Sequence, residues 1–223
     1  MNNRIVNNYK KVLESFGKSL EALPKSEEFV NNLTPAMVSL IKTIQLNQIG
    51  LQSKEIAELV NEGKLERVKQ GYYRITEFSE NTSEAKLISL LYPDGIITMT
   101  TALFYYRYSD RTPLTWDIAI KRNTSKSRFN IDYPYVQPYY VDVKHLDYGI
   151  TKAEYDDCTL NIFDRDRLIC ECIKHENKLE RETFNKAIIN YINDNTKNIT
   201  NLLDYAKRRN IHKKVRERIG VWL

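Results

Sequence analysis

PAMVSLIKTIQLNQIGLQSKEIAELVNEGKLERVKQGYYRI, residues 35–75, decides how the N-terminal part folds. Thr34-Pro35 is a helix start, a capping hydroxyl followed by proline at the first helical position. Met37, Leu40, Ile41 and Ile44 recur on one face, which predicts helix over 35–49, either continuous or broken near Thr43. Gly50 ends it. Ser53 reads as the N-cap of a short helix over 53–62, with Ile56, Leu59 and Val60 inward and Gly63 as its closing glycine. Leu65 and Val68, a polar turn at Lys69-Gln70-Gly71, then Tyr73 and Ile75, form a β-hairpin signal.

Helix, glycine turn, capped helix and basic hairpin, in that order, predict a winged helix-turn-helix. Such a unit sets the start of its second helix toward base edges in a major groove and lays the hairpin's cations on phosphates. The candidate DNA-binding residues are Gln52, Ser53 and Lys54 at the helix start, and Arg67, Lys69, Gln70, Tyr72 and Arg74 on the hairpin. Ser53 doubles as a phosphate donor, because a helix N-terminus favours an anion. Glu55, Glu58 and Glu62 on the same helix either face away from DNA or accept from a cytosine amino group.

Working outward, residues 3–22 have helical periodicity, and TEFSENTS (76–83) is a polar link. The chain is therefore divided into a DNA-binding domain over 1–80, with an extra N-terminal helix, and a second domain over 81–223. In the second, helix is expected at 84–91 and 99–107. Pro93-Asp94-Gly95 reads as a turn. Strands are expected at 115–121, around 135–143, and as a hairpin within 147–163. Four helices follow: 165–176, 180–193, 198–209 and 211–222. Asp164 is the natural N-cap of the first. The fold class is α+β: a winged helix, then a mixed domain with a small sheet and C-terminal helices. Only 7 glycines and 6 prolines in 223 residues weigh against an all-β, turn-rich chain.

The net charge of +5 is unevenly spread. Residues 165–223 hold 14 Lys/Arg against 8 Asp/Glu, whereas residues 1–80 hold 11 against 10. The excess concentrates in Lys207, Arg208, Arg209, Lys213, Lys214, Arg216 and Arg218. Ile211, Val215 and Ile219 form an apolar stripe on the same segment. These cations have three readings: a solvated face, a nucleic-acid contact, or a surface for an acidic protein partner. Three cysteines (Cys158, Cys170 and Cys172) without framework spacing read as free thiols of a reducing cytosol. No apolar run approaches the roughly 20 residues that span a bilayer, and MNNRIVNNYKK lacks a signal core. The expectation is a cytoplasmic protein that does not meet membranes.

Three longer segments resemble the AbiEi family of antitoxins. LVNEGKLERVKQGYYRI (59–75) is similar to the segment with which that family's motif run opens. YPDGIITMTTALFYYRYSDRTPLTWDIAIKR (92–122) looks like its second segment. NIFDRDRLICECIKHENKLERETFNKAIINYI (161–192) and ITNLLDYAKRRNIHKKVRERI (199–219) look like its C-terminal helices. The resemblance covers about 59–219. It implies a bifunctional protein that represses its own operon through the winged helix. The expected operator DNA is an inverted repeat that takes two copies of the chain. The resemblance also implies that the protein counters an AbiEii-like nucleotidyltransferase toxin in abortive infection against phage. The family is classed as type IV, neutralising without an evident stable complex, and its C-terminal domain carries the antitoxin activity.

No catalytic residue, cofactor or metal site is expected. Cys170 and Cys172 would point to different faces of a helix, and no CxxC pair exists. One alternative is a winged-helix transcription factor with a sensor domain and no toxin partner. Another is a metal-dependent nuclease, in which Asp94 and the Asp142-Val143-Lys144 triplet on a strand would hold a divalent ion and orient water.

Overall fold

The β-branched Ile41 begins the first strand rather than continuing a helix. In the structure, a computed structural model that describes residues 40–48, 50–76, 82–155 and 158–222, Ile41–Lys42 is β1 and pairs antiparallel with the hairpin, Ile41 opposite Tyr73 and Lys42 opposite Tyr72. The expected helix shrinks to α1, Thr43–Gln48. Ile41 and Tyr73 bury each other's apolar surface across the pair, so Ile41 gains more from the sheet than from a helical stripe. Ile44 is correspondingly 64% exposed. The helix expected over 3–22 and the capping pair Thr34-Pro35 lie outside the described residues.

Gly50 (φ 89) turns the chain from α1 into α2, Ser53–Asn61. Gly63 (φ 70) then leads into β2, Leu65–Lys69, and β3, Tyr72–Ile75. The three strands are ordered β1-β3-β2. Leu46, Leu51, Ile56, Leu59, Leu65 and Ile75 form the core beneath them, and α2 packs on β2. α3, Glu84–Leu91, matches its expected bounds.

The chain divides into two compact units after Leu91, so α3 groups with residues 1–91 and the second unit is 92–223. The sequence reading puts the boundary in the polar stretch at 80, whose neighbours 77–81 lie outside the described residues.

In the second unit the turn at Pro93-Asp94-Gly95 forms, the Gly95 amide donating to the Tyr92 carbonyl at 2.9 Å. It feeds β4, Ile96–Ile97, a strand too short to announce itself by alternation. α4 (Met99–Tyr105), β5 (Trp116–Lys121), β6 (Val136–Val141), β7 (Ile150–Tyr155) and β8 (Cys158–Phe163) follow. The sheet runs β6-β5-β4-β8-β7. β5 and β6 are parallel, as are β4 and β8, and the other pairs are antiparallel. Ile97, Ile118, Ile120 and Ile162 are fully or almost fully buried at its centre, as strands covered on both faces require.

Four helices complete the unit: α5 (Arg165–Lys174), α6 (Arg181–Ile192), α7 (Ile199–Arg208) and α8 (His212–Ile219). Asp164 caps α5 as expected, accepting from the Arg167 amide at 2.7 Å. α5 is the hub, packed by α4, α6, α7 and α8. The stripe Ile211, Val215 and Ile219 is buried. The whole is a mixed α+β chain with small sheets and C-terminal helices. Among the described residues no helix is long and apolar enough to cross a membrane.

Candidate nucleic-acid interface

The start of α2 is built by Gln52, not by Ser53. Gln52 is extended (φ −87, ψ 163) and Ser53 is already helical, so the cap lies one residue earlier than expected. The Glu55 carboxylate reaches back to accept from the Gln52 amide at 2.8 Å. A carboxylate there complements the positive end of the helix dipole. Of the three glutamates that could repel phosphate, Glu55 is thus engaged at its own helix end. Glu62 pairs with Lys64 at 2.9 Å, and Glu58 is exposed. Gln52, Ser53 and Lys54 are all exposed.

The hairpin turns at Gln70-Gly71, where Gly71 takes a φ of 79. The Thr43 amide donates to the Gly71 carbonyl at 3.0 Å, tying the start of α1 to the hairpin tip. An irregularity between Arg67 and Lys69 shifts the register so that Lys69 lies opposite Tyr72. The Lys69 ammonium sits 4.6 Å from the centre of the half-buried Tyr72 ring. The Lys42 ammonium, on β1, sits 5.7 Å from the same ring. Arg67 and Gln70 are exposed.

Arg74 differs from the other hairpin cations. Its Nε donates to Glu66, its cross-strand neighbour, at 2.6 Å, and only 20% of its side chain is exposed. Its charge is largely spent inside the hairpin. Lys42 takes a place among the cations that sequence reasoning missed, because residues 41–42 read as helix. The signal that could have found it is the pairing of β1 with β3.

The C-terminal cations separate into two groups. Lys207, Lys213, Lys214 and Arg216 are exposed. Arg208 pairs with Asp204 at 2.8 Å and Arg218 with Glu176 at 2.9 Å, both on the surface. Arg209 does not belong to this surface. It is 5% exposed, and its Nε and Nη2 donate to both oxygens of Glu171 at 2.6 and 2.8 Å. Arg167, wholly buried, donates to the same carboxylate at 2.8 Å and to the His145 carbonyl at 2.9 Å. Its guanidinium lies 4.3 Å from the Tyr148 ring centre and 4.7 Å from that of Phe163. Burial alone would raise the Glu171 pKa, but the charges of Arg167 and Arg209 outweigh it and hold the carboxyl below its ordinary value.

Gly149 completes this cluster. Its φ is +66, and a Cβ there would stand 2.7 and 2.9 Å from the Cβ and Cγ of Arg167. Gly149→Ala is expected to cost about 2–4 kcal/mol, combining left-handed strain with overpacking against a fixed side chain. The midpoint of urea unfolding measures it, and an unchanged midpoint would mean Arg167 can move.

The carboxylates of the nuclease alternative are engaged with arginines. Asp94 accepts from both Nη atoms of Arg128, which hold its carboxyl below the usual range. Asp142 pairs with Arg122 at 3.0 Å. The Asp142-Val143-Lys144 triplet sits at a 3-10 turn rather than on a strand. Among the described residues no group of three or more His, Cys, Asp or Glu is placed to hold a metal ion. Cys158, Cys170 and Cys172 are free and buried. Asp117, also buried, serves the fold: it accepts from the Thr100 amide at 2.8 Å and from the Thr115 hydroxyl at 3.0 Å, fixing α4 to β5. No protein-family model matches the chain, and no curated protein matches it.

Proposed function

We propose that the chain is a DNA-binding autorepressor that also acts as an antitoxin, its N-terminal unit a winged helix-turn-helix. The observation that carries the DNA-binding half is the arrangement of residues 41–75. A strand, two helices joined at Gly50, and a hairpin run in that order, and β1 pairs with β3 on the side away from β2. The exposed Gln52, Ser53 and Lys54 would then read bases, while Arg67, Lys69 and Lys42 meet phosphates. The operator is an inverted repeat holding two copies. The antitoxin half rests on the resemblance of residues 59–219 to AbiEi proteins. On this reading the C-terminal unit suppresses a nucleotidyltransferase toxin, and Lys207, Arg208, Lys213, Lys214, Arg216 and Arg218 are its partner surface.

The two halves are tested together. The full chain is co-expressed with the product of the adjacent gene in cells carrying a reporter behind the chain's own promoter. Rescue of growth and repression of the reporter are both expected. Replacing Lys42, Arg67 and Lys69 with alanine should release the reporter and leave rescue intact. A harmless neighbour, or a toxic one that the chain does not counter, refutes the antitoxin half. A reporter that never responds refutes the repressor half.

A further inference from the structure

Among the described residues the five-stranded sheet has two unlike edges, β6 and β7. β6 carries Pro138 near its middle, and the missing N–H blunts that edge against further pairing. β7 has no proline. Its ladder with β8 runs from Ile150 opposite Phe163 to Tyr155 opposite Cys158. The Asp164 amide extends it by donating to the Gly149 carbonyl at 2.8 Å. Antiparallel ladders alternate, so Thr151, Ala153 and Tyr155, in step with Gly149, turn their N–H and C=O toward β8. Ile150, Lys152 and Glu154 turn theirs outward. The Glu154 amide agrees with this phase, because it meets the Tyr105 hydroxyl at 3.3 Å instead of a β8 carbonyl.

Lys152 and Glu154 are exposed and share one face of the strand, and between them Ala153 is buried. We propose that a second copy of this chain adds to this edge, β7 against β7, antiparallel about a two-fold axis at Ala153. Lys152 of each copy then lies opposite Glu154 of the other. The two residues exchange their outward N–H and C=O groups, and their side chains form an ion pair on each side of the axis. Charge selects this register. Centring the axis on Lys152 sets lysine against lysine, and centring it on Glu154 sets glutamate against glutamate. Centring it between residues opposes an outward-turned residue to an inward-turned one, which cannot pair.

The Tyr105 hydroxyl must leave the Glu154 amide. At 3.3 Å it is beyond the usual N–H···O distance, and a carbonyl of the partner strand replaces it. The contact is isologous and small, so association depends on concentration. The proposal does not rest on DNA binding, although a two-fold pair supplies the two copies that an inverted repeat takes.

Sedimentation velocity of the full chain over a concentration series tests it. A monomer–dimer equilibrium is expected. Lys152→Glu alone and Glu154→Lys alone should each weaken the dimer at least about tenfold, because like charges then oppose across the axis. The double swap K152E/E154K should restore it. Within one copy the Lys152 ammonium donates to the half-buried Asn161 at 2.7 Å, and the Glu154 carboxylate accepts from the exposed Thr159 hydroxyl at 3.0 and 3.1 Å. Circular dichroism checks that each variant is folded, and the neutral Lys152→Gln, expected to weaken the dimer less than Lys152→Glu, replaces any that is not. A native chain that stays monomeric throughout overturns the proposal. So does a dimer that survives Lys152→Glu, or a folded double swap that remains monomeric.

Discussion

Replacing Glu171 with alanine is expected to destabilise the C-terminal unit by about 3–5 kcal/mol, the range for breaking a buried ion pair from one side. Two guanidinium groups converge on this one carboxylate, from Arg167 on the same helix and from Arg209 just past α7. Without Glu171 both cations stay buried with no counter-charge. The Lys174 ammonium, which donates to the Arg209 carbonyl at 3.4 Å, adds a third positive charge nearby. Glu171→Gln keeps the volume and should still be strongly destabilising, which separates loss of charge from loss of packing. Replacing all three charged residues with apolar ones of similar size should recover much of the loss, since the desolvation of the ions goes with them. Urea unfolding followed through Trp116 fluorescence reads each variant. A shift under about 1 kcal/mol for Glu171→Ala would show that water reaches the cluster.

The same cluster sets a pH dependence. The folded-state pKa of Glu171 lies below its ordinary value of 4.5. The unfolded chain therefore takes up this proton first as pH falls. The stability that Glu171 contributes is complete at neutral pH, declines once pH drops below about 4.5, and is gone below the folded pKa. Glu171→Gln should flatten that acid limb, relative to the native chain.

Elements with a long period and good caps were legible before the structure. α3 and α5 to α8 show apolar spacing over two or more turns, and Asp164 at the start of α5 and Gly63 just past α2 mark helix ends with chemistry few other residues supply. β1 and β4 were not legible, because two residues hold no alternation. Their identity comes from distant partners: Tyr73 for Ile41, and Ile118 and Ile162 for Ile97. Parallel pairing of β5 with β6 is likewise a matter of contacts, not of pattern. Arg209 is the instructive miss in the candidate surface. Composition placed it with its cationic neighbours, yet Leu202, Ala206 and Arg209 fall at helical spacing on one buried face. A cation on an apolar face implies a buried counter-ion, and Glu171 in the apolar run LICECI was the available one. Serine is the commoner cap, so the sequence points to Ser53, whereas Gln52 with Glu55 makes the reciprocal bond one residue earlier.

On the proposed DNA-binding reading, alanine at Lys42, Arg67 and Lys69 together is expected to weaken operator binding and to flatten its salt dependence. Each phosphate contact removed takes about 0.9 from the slope of log affinity against log salt, so three lost contacts reduce it by about 2–3. The set differs from the one the sequence suggests. Arg74 is left out because Glu66 already holds it at 2.6 Å. Lys42 is included because β1 brings its ammonium to the Tyr72 ring that also carries Lys69. Arg74→Ala becomes the control: it frees the Glu66 carboxylate on the hairpin, so it should lower affinity modestly while changing the slope by less than about 1. Fluorescence anisotropy of a labelled promoter duplex across a potassium chloride series gives both quantities. An unchanged slope in the triple variant would remove the hairpin from the interface. A larger slope change for Arg74→Ala than for Lys42→Ala would mean that the Glu66 pair opens on DNA and that Arg74, not Lys42, lies on the phosphates.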